Sequence, residues 1–105
     1  MKKGDIILLP FPFTDLSGSK NRPALVLIVG SIDITVSFIS TQLHWKERTD
    51  ITIQANSNNG LKKESLIRLS KIATIDNDLI LGKLGEIDVN IYNQLNSNLR
   101  TLLQL

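Results

Sequence analysis

GDIILLPFPFTDLSGSKNRPALVL, residues 4–27, sets two apolar runs (6–9 and 24–29) on either side of a polar stretch that ends in Asn21-Arg22-Pro23. Alternating and continuous apolar runs of this length read as strands. The Gly, Ser, Asp and Lys residues between them make a connection too long for a tight two-residue hairpin, and long connections in small domains tend to carry function. Pro23 fixes its own φ and has no N–H. It biases Arg22 toward extended backbone, so the second strand can start here without wasting a ladder donor. Arg22 is therefore a permanently charged, five-donor group at the mouth of a buried strand, suited to meet a phosphate. An arginine paired with a loop acid such as Asp15 is the alternative reading of the same residue.

Outward from this stretch, three groups of residues resemble the MazF/PemK ribonuclease toxins of bacterial toxin-antitoxin pairs. Gly4-Asp5-Ile6, Phe11-Pro12-Phe13 and Arg22-Pro23-Ala24 match the family's opening. Ile39-Ser40-Thr41-Gln42 matches a strand end, and Gly60-Leu61 through Ser65, Arg68 and Lys71 to Ile75-Asp76 matches a later stretch, so the likeness runs over residues 4–85. Several motifs in order carry more weight than a lone Arg-Pro. The resemblance implies an SH3-like small antiparallel β-barrel with short helices, mainly β, and metal-independent endoribonuclease activity on single-stranded RNA. It also implies a homodimer and a cognate antitoxin protein whose extended acidic tail lies in the RNA groove.

By the same resemblance Arg22 and Ser40 are the catalytic pair, with Ser40 standing where family members often carry Thr. The same alignment makes Thr41 the neighbour of Ser40, and Asp15 is the acid the first loop offers, beside Phe13 and Thr14, where some family members place a Glu. Gln42 can read a base edge or a ribose hydroxyl and Lys20 can neutralise a phosphate in RNA binding, or both are solvated polar residues. Serine donates the same hydrogen bond as threonine but lacks the β-methyl that stiffens χ1.

Composition narrows the remaining classes. One hundred and five residues suit one domain spanning 1–105, and a chain of this size hides roughly 60 to 70% of its unfolded surface. There is no cysteine and only one histidine, which excludes a disulfide framework, a thiolate site or a multi-histidine metal site; no cofactor is expected. The four apolar residues before Pro10 are too few for a signal-peptide core or a membrane span, so a cytoplasmic protein with no membrane partner is expected. Net charge is +2, unevenly spread: residues 1–71 carry ten Lys/Arg against six acids, and residues 72–105 carry two against four. A modest, salt-sensitive contact with nucleic acid fits this distribution.

The rest of the chain fills in the fold. DITVSFIS (33–40) alternates with Ile34, Val36 and Phe38 on one side, and DITIQ (50–54) is a further short strand. Asn56-Ser57-Asn58-Asn59-Gly60 is a turn cluster, residues 64–76 a longer strand region, and Asp76-Asn77-Asp78 a cap for a short helical turn. Gly82 and Gly85 read as punctuation. From Asp88, a plausible N-cap, Ile91, Tyr92, Leu95, Leu99, Leu102 and Leu103 recur at helical spacing. No serine-hydrolase elbow is present, and the paired acids 76 and 78 are explained by capping. RNA cleavage asks for less, because the substrate supplies its own 2′-hydroxyl nucleophile.

Single residues keep two readings. Trp45 can stack an unpaired base or serve as a core or dimer-interface residue, and His44 can shuttle a proton. Two rival functions also follow from such a barrel. A gyrase-binding poison would rely on a C-terminal aromatic tail, whereas this chain ends Thr101-Leu102-Leu103-Gln104-Leu105; a non-catalytic toxin or SH3-like binding module is the other.

Overall fold

A computed structural model describes residues 1–11 and 20–105. Six strands form one sheet: β1 (Asp5–Phe11), β2 (Lys20–Val29), β3 (Asp33–Ser40), β4 (Ile51–Ile53), β5 (Ser65–Asp76) and β6 (Gly82–Glu86). Helix α1 (Val89–Leu103) follows. The strand order is β4-β5-β3-β2-β1-β6 with all neighbours antiparallel, curled into a half-barrel. The expected small antiparallel barrel with a terminal helix is thus present, as a sheet whose end strands are β4 and β6. No helix among the described residues is long and apolar enough to cross a membrane.

Both faces of the sheet carry apolar side chains, because the strands alternate between two cores. Ile6, Leu25, Ile39, Ile67 and Leu69 pack on one face with Leu95 of α1, which is fully buried, and with the partly buried Ile91, Tyr92, Leu99 and Leu102. Ile7, Leu9, Ala24, Val26, Ile34, Val36 and Ile75 form the second core on the other face. A one-residue slip of any strand would exchange the two sets, so register is strongly specified. The helix exists because its apolar stripe has the first core to cover. Asp88 caps it by accepting from the N–H of Ile91 at 2.9 Å, and Gln104 ends it in the left-handed region.

β2 begins at Lys20, four residues before the apolar run that announced it, since Asn21, Arg22 and Pro23 pair with Pro10, Leu9 and Leu8 of β1. In the sequence β6 shows only as glycine punctuation. It pairs with β1 and is packed from outside by the turn at residues 56–60, so closely that a Cβ on Gly85 would lie 2.2 Å from the Asn58 carbonyl oxygen, and one on Gly60 2.2 Å from that of Leu84. Only glycine allows two backbones to approach this far. The N–H of Glu86 donates to the Asn58 carbonyl at 2.9 Å, and the buried Asn59 side chain donates to the carbonyl of Gln54.

A charge cluster ties the N-terminus to β6. The carboxylate of buried Asp5 accepts from the Lys2 N–H at 2.9 Å and meets the Lys2 and Lys83 ammonium groups at 3.2 and 3.3 Å, and Lys2 also pairs with Glu86. Burial pushes the Asp5 carboxyl up, but the hydrogen bonds from Lys2 and Lys83 outweigh it and hold it below the usual aspartate range.

Candidate active site

The second apolar face changes character toward one end of the strands. Along β1, β2 and β3 the side chains at 7, 9, 11, at 22, 24, 26 and at 34, 36, 38, 40 share that face by strand alternation. Inward they are Ile, Leu, Ala and Val; outward they become Phe11, Arg22, Phe38 and Ser40. The last β2–β3 ladder pair is Ala24 with Phe38, and Arg22 and Ser40 each stand two residues beyond it on their own strand. On β5, a register shift brings Arg68 opposite Phe38, and Lys71 lies on the same rim. Together with Gln42 and Trp45 these residues line a groove of about 410 Å³, within the usual range of ligand sites.

Arg22 is exposed, and its guanidinium sits over the Phe11 ring, 5.8 Å from the centroid. Phe11 is its diagonal neighbour on β1, since Arg22 pairs with Leu9 and Lys20 with Phe11. No carboxylate among the described residues pairs with Arg22, and it lines the groove. Ser40 accepts a hydrogen bond at Oγ from the N–H of Gln42 at 3.0 Å. That bond uses the oxygen and leaves the hydroxyl proton to be donated elsewhere.

Of the expected site residues, the fold brings Arg22, Ser40 and Gln42 to one groove. Thr41 is half-buried, its carbonyl accepting from the N–H of Leu43, and Lys20 is exposed at the start of β2; neither lines the groove. Phe13, Thr14 and Asp15 lie outside the described residues. Trp45 is half exposed on the groove wall, which sets aside the core reading, and His44 meets its ring edge-on at 5.8 Å.

Beyond Arg68 and Lys71 themselves, no sequence motif points to the network behind Trp45. Arg68 places its guanidinium over the indole, 5.6 Å from the centroid, while Nε donates to Asp50 Oδ2 at 3.3 Å and Nη2 to Glu47 Oε1. Asp50 is buried, and its Oδ2 also accepts from the N–H of Glu47 at 2.9 Å. Lys71 stands 3.9 Å from Glu47, a loose pair. The available signal was a single charge, Arg68, inside the apolar run Ser65-Leu66-Ile67-Arg68-Leu69; a charge there must be held by something. Its acid, Asp50, is eighteen residues away and meets it only through β4–β5 packing.

Comparison with known proteins follows the same lines. A sequence search of curated proteins finds no match. Solved structures that the fold resembles include an endoribonuclease in complex with its cognate antitoxin from a mycobacterial species (TM-score 0.72, 21% identity, covering 100% of this chain and 96% of that one), the Mycobacterium tuberculosis toxin MazF-mt6 (0.76, 19%, 96% and 97%), and a mycobacterial endoribonuclease (0.68, 20%, 100% and 92%). The family model of PemK-like, MazF-like toxins of type II toxin-antitoxin systems matches residues 2–103. The chain belongs to that toxin family.

Proposed function

We propose that the chain is an endoribonuclease toxin that cleaves single-stranded RNA by attack of a 2′-hydroxyl on the adjacent phosphorus, with Arg22 and Ser40 as its catalytic residues. The observation that carries this reading is the exposed guanidinium of Arg22, which no carboxylate among the described residues neutralises, on the same face as a serine whose hydroxyl proton is left free. The names of the structural neighbours, two of them endoribonucleases, support the reaction class.

In the reaction the 2′-oxygen forms a bond to phosphorus and loses its proton, the P–O5′ bond breaks, and O5′ takes up a proton. The products carry a 2′,3′-cyclic phosphate and a 5′-hydroxyl. Charge accumulates on the non-bridging oxygens as the phosphorane forms. Arg22 meets that charge with two parallel N–H donors, and Ser40 adds an O–H donor. A groove whose walls are partly apolar, with Phe11, Phe38 and Trp45, strengthens both bonds relative to water.

The partners follow the same reading. A cognate antitoxin protein would occupy the groove in competition with RNA, and the complex named for one neighbour supports a protein inhibitor. A homodimer is supported by apolar side chains left exposed on β2, after it and on β5, namely Ile28, Val29, Ile32 and Ile72. The place of action is the cytoplasm, where its RNA substrate is.

The deciding experiment incubates purified protein with a long mixed-sequence RNA in the presence of EDTA and maps the ends by mass spectrometry. Cyclic phosphate and 5′-hydroxyl ends are expected from wild type, and none from folded Arg22→Ala. Arg22→Lys is also expected to fail, because a point charge does not reproduce the fork. Full activity of folded Arg22→Ala would overturn the assignment.

A further inference from the structure

The groove holds a second feature besides Arg22 and Ser40, the indole of Trp45. The indole is half exposed, and its neighbours hold it in place. Trp45 ends the 3-10 turn Leu43–Trp45, which starts three residues after Ser40, and the N–H groups of Leu43, Trp45 and Lys46 donate to the carbonyls of Thr41, Gln42 and Leu43. Arg68 lies over its ring, and Arg68 is itself held by Asp50 and Glu47. The result is a flat aromatic surface of fixed orientation, backed by a cation and opening on a groove whose other wall carries a phosphate-binding arginine.

From this geometry we infer that Trp45 is the stacking platform for an unpaired nucleobase next to the scissile phosphate, with Arg68 as the residue that positions it and Lys71 as the contact for the flanking phosphate. The inference rests on the ribonuclease reading and adds the substrate's base to it. Stacking suits a site that must accept RNA only as a single strand, since a paired base has no free face to offer. Lys71, half exposed and only loosely paired at 3.9 Å, exchanges Glu47 for a phosphate at little cost. Because larger rings stack better, a purine is favoured at this position.

Trp45 is the only tryptophan, so its emission reports on this surface alone. The protein is titrated with a short, mixed-sequence, fully 2′-O-methylated RNA, which lacks the nucleophile, and with the same sequence as a duplex, while anisotropy of a labelled strand measures binding. The single strand is expected to quench the emission as it binds and the duplex to leave it unchanged. In cleavage assays Trp45→Ala raises KM by about 5- to 150-fold with kcat changed only a few-fold, and Trp45→Phe falls between. Bound single strand without quenching, or Trp45→Ala with the wild-type KM, overturns the platform and leaves the ribonuclease reading standing. Quenching by the single strand in a protein that cuts no RNA supports the platform while sinking that reading.

Discussion

Arg68→Met removes the cation from a carboxylate that has nowhere else to turn. The Asp50 side chain is 0% exposed and that of Arg68 13%, so their 3.3 Å contact belongs to the interior. With the guanidinium gone, Asp50 keeps one donor, the N–H of Glu47, and its Oδ1 has no partner among the described residues even in the wild type. Breaking a buried pair from one side costs about 3 to 5 kcal/mol. The second contact, to a half-exposed Glu47, adds at most about 1 kcal/mol. At about 4 °C per kcal/mol for a domain of this size, Tm should fall by roughly 12 to 24 °C. Asp50→Asn removes the charge that needed the cation, so Arg68→Met made in that background should cost only about 1 to 3 kcal/mol, the price of a buried amide short of one partner. Urea melts of the four proteins, followed by far-ultraviolet circular dichroism, measure the coupling; Trp45 emission is unsuitable because Arg68 lies on its ring. Additivity within about 0.5 kcal/mol would refute a coupled buried pair.

Ser40→Ala should lower turnover at least tenfold, in line with a charge-directed hydrogen bond of about 1.5 to 3 kcal/mol. Thr41→Ala should lower it less and Ser40→Thr should be tolerated; the reverse ranking in single-turnover assays would move the catalytic hydroxyl to Thr41. Gly85→Ala should destabilise by about 1 to 3 kcal/mol or more, since its Cβ would meet the Asn58 carbonyl at 2.2 Å, whereas Gly82→Ala, with nothing within 4 Å, should stay within about 0.5 kcal/mol in the same melts. The Asp5 carboxyl is depressed in the folded state, so its contribution is present above the ordinary aspartate value of about 3.9 and is lost as pH falls through the folded value. Acid titrations of stability should therefore show a steep limb below about pH 4 that Asp5→Asn flattens; an unchanged limb would show that other carboxylates govern it.

What could be read in advance divides by the kind of signal each part leaves. The helix over 89–103 was legible because Asp88 and the stripe through Leu95 combine a cap with a period, and β3 because Ile34, Val36 and Phe38 alternate. β6 left no such trace. GKLGE has one large apolar residue, and the strand exists because its backbone pairs with β1 and is packed by another turn, which side-chain patterning does not encode. The site shows the same division. Arg22 and Ser40 stood out through neighbouring motifs, and strand alternation then carried them to one face. Trp45, Asp50 and Arg68 are spread over 24 residues of sequence and meet only through the pairing of β3, β4 and β5, so no local pattern links them.

The turn at residues 56–60 has a consequence for how copies of the protein behave in a crowded solution. A sheet with two ends offers unpaired backbone to any extended chain, and such ends seed fibrous association. At the β4 end the strand is only three residues long, and Ile51 and Ile53 on it are buried. At the β6 end the turn is already docked, its Asn58 carbonyl taken by the N–H of Glu86 and its backbone pressed against Gly85. Lys83 and Glu86 set charges along the same strand. Damage to this turn would therefore register as lost solubility at high concentration, with protein precipitating through strand addition well before the groove at the opposite side of β1 and β2 lost its shape.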